Sequence, residues 1–143
     1  MHHGAGAQTW GLALLRGCTD KEVARFMARA DWLDVPAGHV LVREGELTKE
    51  FYVLLVGQAT VRRGGRIVAE LGPGVYCGEL AILDPAPRSA TVVMDTAGTV
   101  LAIGQREFLA LLEEMPTVSR RLLNGLAHRL RVLDAAHAGG SPG

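Results

Sequence analysis

From Trp32 to Ile103 the chain is mostly a succession of short β-branched or alternating apolar runs, each closed by a turn residue, and this texture makes the middle of the chain strand-rich. The runs are Trp32 to Val35, Val40 to Arg43, Phe51 to Val56, Ala59 to Arg63, Ile67 to Leu71, Arg88 to Met94 and Thr99 to Ile103. Gly38, Gly45, Gly57, Gly64-Gly65, Gly72-Pro73-Gly74 and Gly98 punctuate them. β-Branched side chains fit a pleated sheet, and glycine supplies the turns between short strands. Strands at this spacing predict a mainly-β domain, a double-stranded β-helix or jelly roll of about eight strands.

Helical periodicity brackets the strands. Leu12, Leu15, Val23, Phe26, Met27 and Ala30 recur at helical spacing, with Thr19 or Asp20 as N-cap of the second part, so two short N-terminal helices are expected over 9–31. After the roll at 32–103, Phe108, Leu111, Leu112 and Met115 form one apolar face that Pro116 interrupts. Leu123, Leu126, Leu130 and Leu133 follow at spacings of three and four, giving C-terminal helices over 104–137. The domain is expected to run from 9 to 137, with disordered ends at 1–8 and 138–143, the last of these having a linker's composition.

Composition removes several classes of function. Lys+Arg and Asp+Glu both number 15, so there is no global attraction for nucleic acid or an anionic membrane. No apolar run approaches the ~20 residues of a membrane span and no secretory signal pattern is present, so a cytoplasmic protein is expected. Cys18 and Cys77 make neither a disulfide framework nor a metal cluster.

The segment Tyr76 to Thr91, YCGELAILDPAPRSAT, carries the chemistry. Gly78 admits a strained turn and close approach of a ligand to the backbone. Glu79 to Leu83 suffices for one or two helical turns, stopped at Asp84-Pro85 because proline drives the preceding residue out of the α region. The first N–H groups of such a helix lack internal partners and lie at its positive end. Arg88 offers a planar cationic fork for phosphate oxygens, and Ser89 a neutral donor beside it. Glu79 would be repelled by a phosphate, so it is assigned to a ribose hydroxyl. Phosphate and ribose together indicate a nucleotide.

Gly78-Glu79-Leu80-Ala81 and Pro87-Arg88-Ser89-Ala90 resemble the phosphate-binding cassette of the cyclic nucleotide-binding domain family. Pro36-Ala37-Gly38, Arg43-Glu44-Gly45-Glu46, the run from Phe51 to Gly57 and Leu71-Gly72-Pro73-Gly74 extend the resemblance over Val23 to Leu133. The resemblance implies a non-enzymatic sensor that takes cyclic AMP, with cyclic GMP as the second choice, and needs no cofactor. It implies phosphate contacts from the N–H groups of Leu80, Ala81 and Ser89, ribose held by Glu79, and Ala90 as the small residue closing the motif. Ser89, where threonine would favour guanine, leans toward adenine. The resemblance further implies a hinge near Phe108 to Leu112 and a lid from the last helix, for which Leu126, Arg129, Leu130 and Leu133 are all candidates. Cys77 departs from the pattern by replacing a larger residue before the glycine, and Lys49 by replacing an acidic or polar turn residue.

Other readings compete with this one. Arg88 could instead pair with Glu79 inside a ligand-free roll that serves structure or protein interaction. Jelly rolls also host metal-dependent enzymes, but only His39 of the five histidines lies among the strands, so no metal site is expected. The one Gly-x-Ser-x-Gly match, Gly139 to Gly143, falls in the linker-like tail and not between a strand and a helix, so no nucleophile elbow is expected. About ten residues follow Leu133, which leaves no space for a helix-turn-helix, so direct nucleic-acid binding is not expected and a transcription regulator is expected only if this is a fragment. The partners expected are the nucleotide, an effector domain or protein, and a second copy paired through the leucines of the last helix.

Overall fold

A computed structural model of the chain describes residues 12–140. The expected disordered end at 1–8 and the last three residues lie outside that range. A 3₁₀ turn at Ala13–Leu15 precedes helix α1 at Asp20–Ala28. Thr19 is its N-cap: Thr19 Oγ1 accepts from the Glu22 N–H at 3.1 Å, and Glu22 Oε1 accepts from the Thr19 N–H at 2.9 Å. This reciprocal box satisfies two donors that the first turn leaves unpaired.

Eight strands follow: β1 Asp31–Val35, β2 Val40–Val42, β3 Glu50–Val56, β4 Ala59–Arg63, β5 Arg66–Leu71, β6 Tyr76–Cys77, β7 Thr91–Met94 and β8 Gly98–Gly104. They form two four-stranded antiparallel sheets, ordered β1-β8-β3-β6 and β2-β7-β4-β5. With helices at both ends, this is the jelly roll expected. Helix α2 at Glu79–Leu83 is inserted between β6 and β7, and helices α3 at Gln105–Glu114 and α4 at Pro116–Gly140 complete the described residues.

Strand β3 shows why its sequence is almost continuously apolar. Successive side chains of a strand face opposite sides. Phe51, Val53 and Leu55 enter a core shared with the helices, while Tyr52 and Leu54 meet the opposite sheet through Val92, Met94 and Ala59. Strand β8 is divided likewise, with Leu101 and Ile103 toward the helices and Val100 toward the other sheet. The first sheet is therefore the middle of three layers. Phe51 and Phe108 stack with centroids 4.6 Å apart, fixing α3 against it. Arg29, at the end of α1, forks onto Glu107 at 2.6 Å and Glu114 at 2.5 Å, tying α1 to both ends of α3.

Three expectations change. The run from Arg88 to Met94 is a strand only from Thr91, because β4 ends at Arg63 and its ladder to β7 begins at Arg62 opposite Thr91. Strand β6 was not foreseen; its two residues pair with β3 as Tyr52 opposite Cys77 and Val53 opposite Tyr76. Helix α4 continues to Gly140, three residues into the expected disordered tail, since the Ala135-Ala136-His137-Ala138 stretch favours helix propagation. Among the described residues no helix is long and apolar enough to cross a membrane.

Candidate functional site

The site is built where β6 runs into α2. Gly78 has φ +96°, and a Cβ on it would stand 2.5 Å from the Glu50 carbonyl oxygen, so both conformation and space demand glycine. The close approach to β3 turns the chain directly into α2. Ala81 and Ile82 face inward while Leu80 and Leu83 stay exposed. By helix geometry the N–H groups of Leu80 and Ala81 have no internal acceptor. No loop or turn hydrogen bond among the described residues takes them, or that of Ser89.

Arg88 is held from both sides of its backbone. Its N–H donates to the Glu46 carbonyl and its carbonyl accepts from the Gly45 N–H, both at 2.8 Å. The Thr91 hydroxyl accepts from the Glu44 N–H at 2.9 Å, and Arg63 Nε reaches the Ser89 carbonyl at 3.2 Å. The Arg88 side chain then runs inward. Nε donates to Thr48 Oγ1 at 3.0 Å, Nη1 to the Gly78 carbonyl at 3.3 Å and Nη2 to the Glu50 carbonyl at 2.8 Å. Arg88 is only 5% exposed, all three acceptors are neutral, and it forms no ion pair among the described residues. The guanidinium has five donors, so two remain.

A buried cation without an anion is costly, by several kcal/mol after relaxation. The weighed pairing of Arg88 with Glu79 does not occur. Glu79, whose side chain is 3% exposed, instead accepts from Arg129 Nη2 of α4 at 2.5 Å. Burial works against the charge of Arg129, but Glu79 and then the Tyr76 hydroxyl outweigh it and hold its pKa above the ordinary guanidinium value. One side of the site is thus a buried cation bonded to the carbonyl of Gly78, the residue before α2; the other is a carboxylate shared with the last helix.

The family model of the cyclic nucleotide-binding domain matches residues 32–115. The chain belongs to the cyclic nucleotide-binding domain family. It is 33% identical over 129 residues to the cyclic AMP receptor protein of Thermus thermophilus, covering 87% of this chain and 60% of that protein. It is 34% identical over 107 residues to the Pycsar effector protein XpPycTIR of Xanthomonas perforans, covering 74% and 35%. The crystal structure of the Thermus thermophilus catabolite activator protein matches with a TM-score of 0.80 at 32% identity, over 85% of this chain and 60% of that one. The chain therefore spans from about a third to three fifths of the length of these relatives.

Within this cyclic nucleotide-binding domain the structure brings together Gly78, Glu79, Leu80, Ala81, Arg88 and Ser89, with Ala90 buried behind them. Of the four lid candidates, Arg129 contacts the cassette, Leu126 is half-buried, and Leu130 and Leu133 are exposed. Cys77, next to Gly78, is half-buried; burial pushes its thiol up to about 12, Glu79 adds to that, and Arg88 opposes it. Sequence reasoning missed Thr48 and Glu50, which anchor Arg88, and Tyr76, which meets α4. Thr48 and the Glu50 carbonyl left no signal, since a loop hydroxyl and a backbone oxygen match no motif. Gly125 did leave one: an unexplained glycine inside a helix.

Proposed function

We propose that this domain is a cyclic nucleotide sensor, cyclic AMP before cyclic GMP, that has no catalysis of its own and converts binding into movement of its C-terminal helices. The observation that carries the reading is Arg88, a buried cation whose partners are all neutral. A cyclic phosphodiester brings the single negative charge that this arginine lacks. It would take the two remaining guanidinium donors together with the N–H groups of Leu80, Ala81 and Ser89.

Glu79 keeps lone pairs beyond the one given to Arg129 and can accept from a ribose 2′-hydroxyl. Arg129 then lies beside the same ligand as a second cation. Ligand shifts the helices only by its differential affinity for the closed arrangement. The proposal includes a cytoplasmic setting, an effector domain or protein partner, and no cofactor. Regulation of transcription is the fragment reading, favoured by relatives described as CRP-like cAMP-activated global transcriptional regulators.

Calorimetric titration with cyclic AMP, cyclic GMP and 5′-AMP tests the proposal. Cyclic AMP is expected to bind in the micromolar range or tighter, about −8 kcal/mol or better. Absence of heat and of any thermal shift with both cyclic nucleotides would leave a degenerate, structural roll.

A second reading is favoured by the last helix. Leu123, Leu130 and Leu133 are exposed at a heptad-like spacing with Leu126, a seam that a second copy would cover. Sedimentation of the parent and of Leu130→Asp decides it; a monomeric parent excludes the seam.

A further inference from the structure

Helix α4 has a glycine where a helix least tolerates one. Gly125 lies well inside Pro116–Gly140, in ordinary right-handed conformation, and glycine is among the poorest helix formers. A Cβ at this position would meet one atom within 4 Å, the Tyr76 hydroxyl oxygen, at 2.8 Å. Real Cβ contacts essentially never come this close, so the missing side chain makes room for that hydroxyl.

The tyrosine is not free to retreat. Its backbone is paired in β6 opposite Val53, and its ring packs on buried Phe51 with centroids 5.5 Å apart. Phe51 is in turn stacked on Phe108 of α3. Residues four apart lie on one face of a helix, so Gly125 and Arg129 face the cassette together. The Tyr76 hydroxyl also supports the charge of Arg129, and Arg129 bonds Glu79, three residues after Tyr76. Two points of attachment fix both the rotation and the sliding of α4 against the site, where a single ion pair between long side chains would fix neither.

We propose that the Tyr76 hydroxyl, seated against Gly125, is a positioning element that sets the register of α4 and holds Arg129 on Glu79 for nucleotide binding. The proposal rests on the reading of the cassette as a cyclic nucleotide site. Gly125 is a positioning residue in it, acting only through Tyr76 and Arg129. A methyl group at 125 displaces the helix from the hydroxyl and carries Arg129 away from the carboxylate. Ligand then meets Glu79 without its second cation and must close the helix itself.

The test uses the full chain as Gly125→Ala, Tyr76→Phe and the double variant, read by amide exchange of 122–130 without ligand and by calorimetric affinity for cyclic AMP. Gly125→Ala is expected to speed exchange beyond residue 125 and weaken binding at least about fivefold, despite alanine's better helix propensity. Tyr76→Phe keeps the ring, loses the hydroxyl that stands against Gly125 and supports the charge of Arg129, and is expected to cost about two- to threefold. In the double variant the obstructing oxygen is gone, so exchange and affinity return to about the Tyr76→Phe values, a coupling that independent sites would not show. The proposal is overturned if Gly125→Ala protects α4 as well as the parent does, or if the double variant loses as much as both single changes together. A parent that binds no cyclic nucleotide overturns the cassette reading, while the exchange measurements still decide whether Tyr76 docks α4.

Discussion

Arg129 Nη2 and Glu79 Oε2 meet at 2.5 Å although fifty residues separate them, and the two ends of this contact sit in unlike surroundings. The Glu79 side chain is 3% exposed and that of Arg129 is 49% exposed. Arg129 returns easily to water when its partner is removed. Glu79 cannot.

The first prediction is an asymmetry in stability. Arg129→Ala strands a buried carboxylate and is expected to cost about 1–3 kcal/mol, reduced from the fully buried case because half of the pair is solvated. Glu79→Gln leaves only a solvated cation and a neutral amide and should cost under about 1 kcal/mol. Urea unfolding of both variants measures the difference. Equal losses, or a larger loss in Glu79→Gln, would mean that Arg129 does not stabilise the buried carboxylate.

Arg88 is expected to dominate affinity. Its charge-assisted contact with the phosphate is worth roughly 1.5–3 kcal/mol, so Arg88→Ala should weaken cyclic AMP binding at least about tenfold and up to several hundredfold. Arg88→Lys should recover little, because an ammonium cannot span Thr48, Gly78 and Glu50 as the guanidinium does. Glu79→Ala should cost less and reduce discrimination against 2′-deoxy cyclic AMP. Titration of variants shown to be folded by thermal melting is the measurement, and parent-like affinity in a folded Arg88→Ala protein rules out the site.

The parts of this site that were legible in the sequence are those whose chemistry is local. Gly78 announces a turn, Asp84-Pro85 stops a helix, and the cassette residues are adjacent in the chain. The anchors of Arg88 are not local: the Glu50 carbonyl belongs to a strand 38 residues away, and any residue at 50 would supply it. The lid stayed open for the same reason. Leu126, Arg129, Leu130 and Leu133 share a periodic pattern, and only the tertiary position of β6 decides which of them meets Glu79. Strand β6 itself is two residues long, too short for alternation to be visible, and exists because β3 lies beside it. In contrast, the three-layer burial of β3 was written in its sequence as an apolar run without alternation.

Truncation separates the end of α4 from the core at a defined place. Met115, Val118 and Leu122 are buried with α1 and α3 in the main core, so a cut after Pro116 would open that core and destabilise the domain. A cut after Asn124 keeps these side chains and removes Gly125 and Arg129. The shorter domain should melt cooperatively and bind cyclic AMP at least about fivefold more weakly, since the phosphate cradle remains while the second cation is lost. Undiminished affinity after this cut would show that α4 takes no part in binding.

Cys77 gives the domain a signature at alkaline pH. Burial raises its thiol from the usual 9.0 to about 12 in the folded chain. Both states hold the proton below pH 9, so the thiol contributes no pH dependence there. Between about 9 and 12 the unfolded chain has lost the proton and the folded chain has kept it, so stability falls by up to about 1.4 kcal/mol per pH unit. At neutral pH the thiol is un-ionised and half-buried, and iodoacetamide should modify it more slowly in the folded protein than in urea. Cys77→Ala should lose stability less steeply than the parent between pH 9 and 10.5 in parallel urea titrations. That comparison cancels tyrosine, lysine and Cys18 ionisation, which both proteins share. Parallel curves would place the Cys77 thiol in water, and with it the turn that leads into Gly78 and the phosphate cradle.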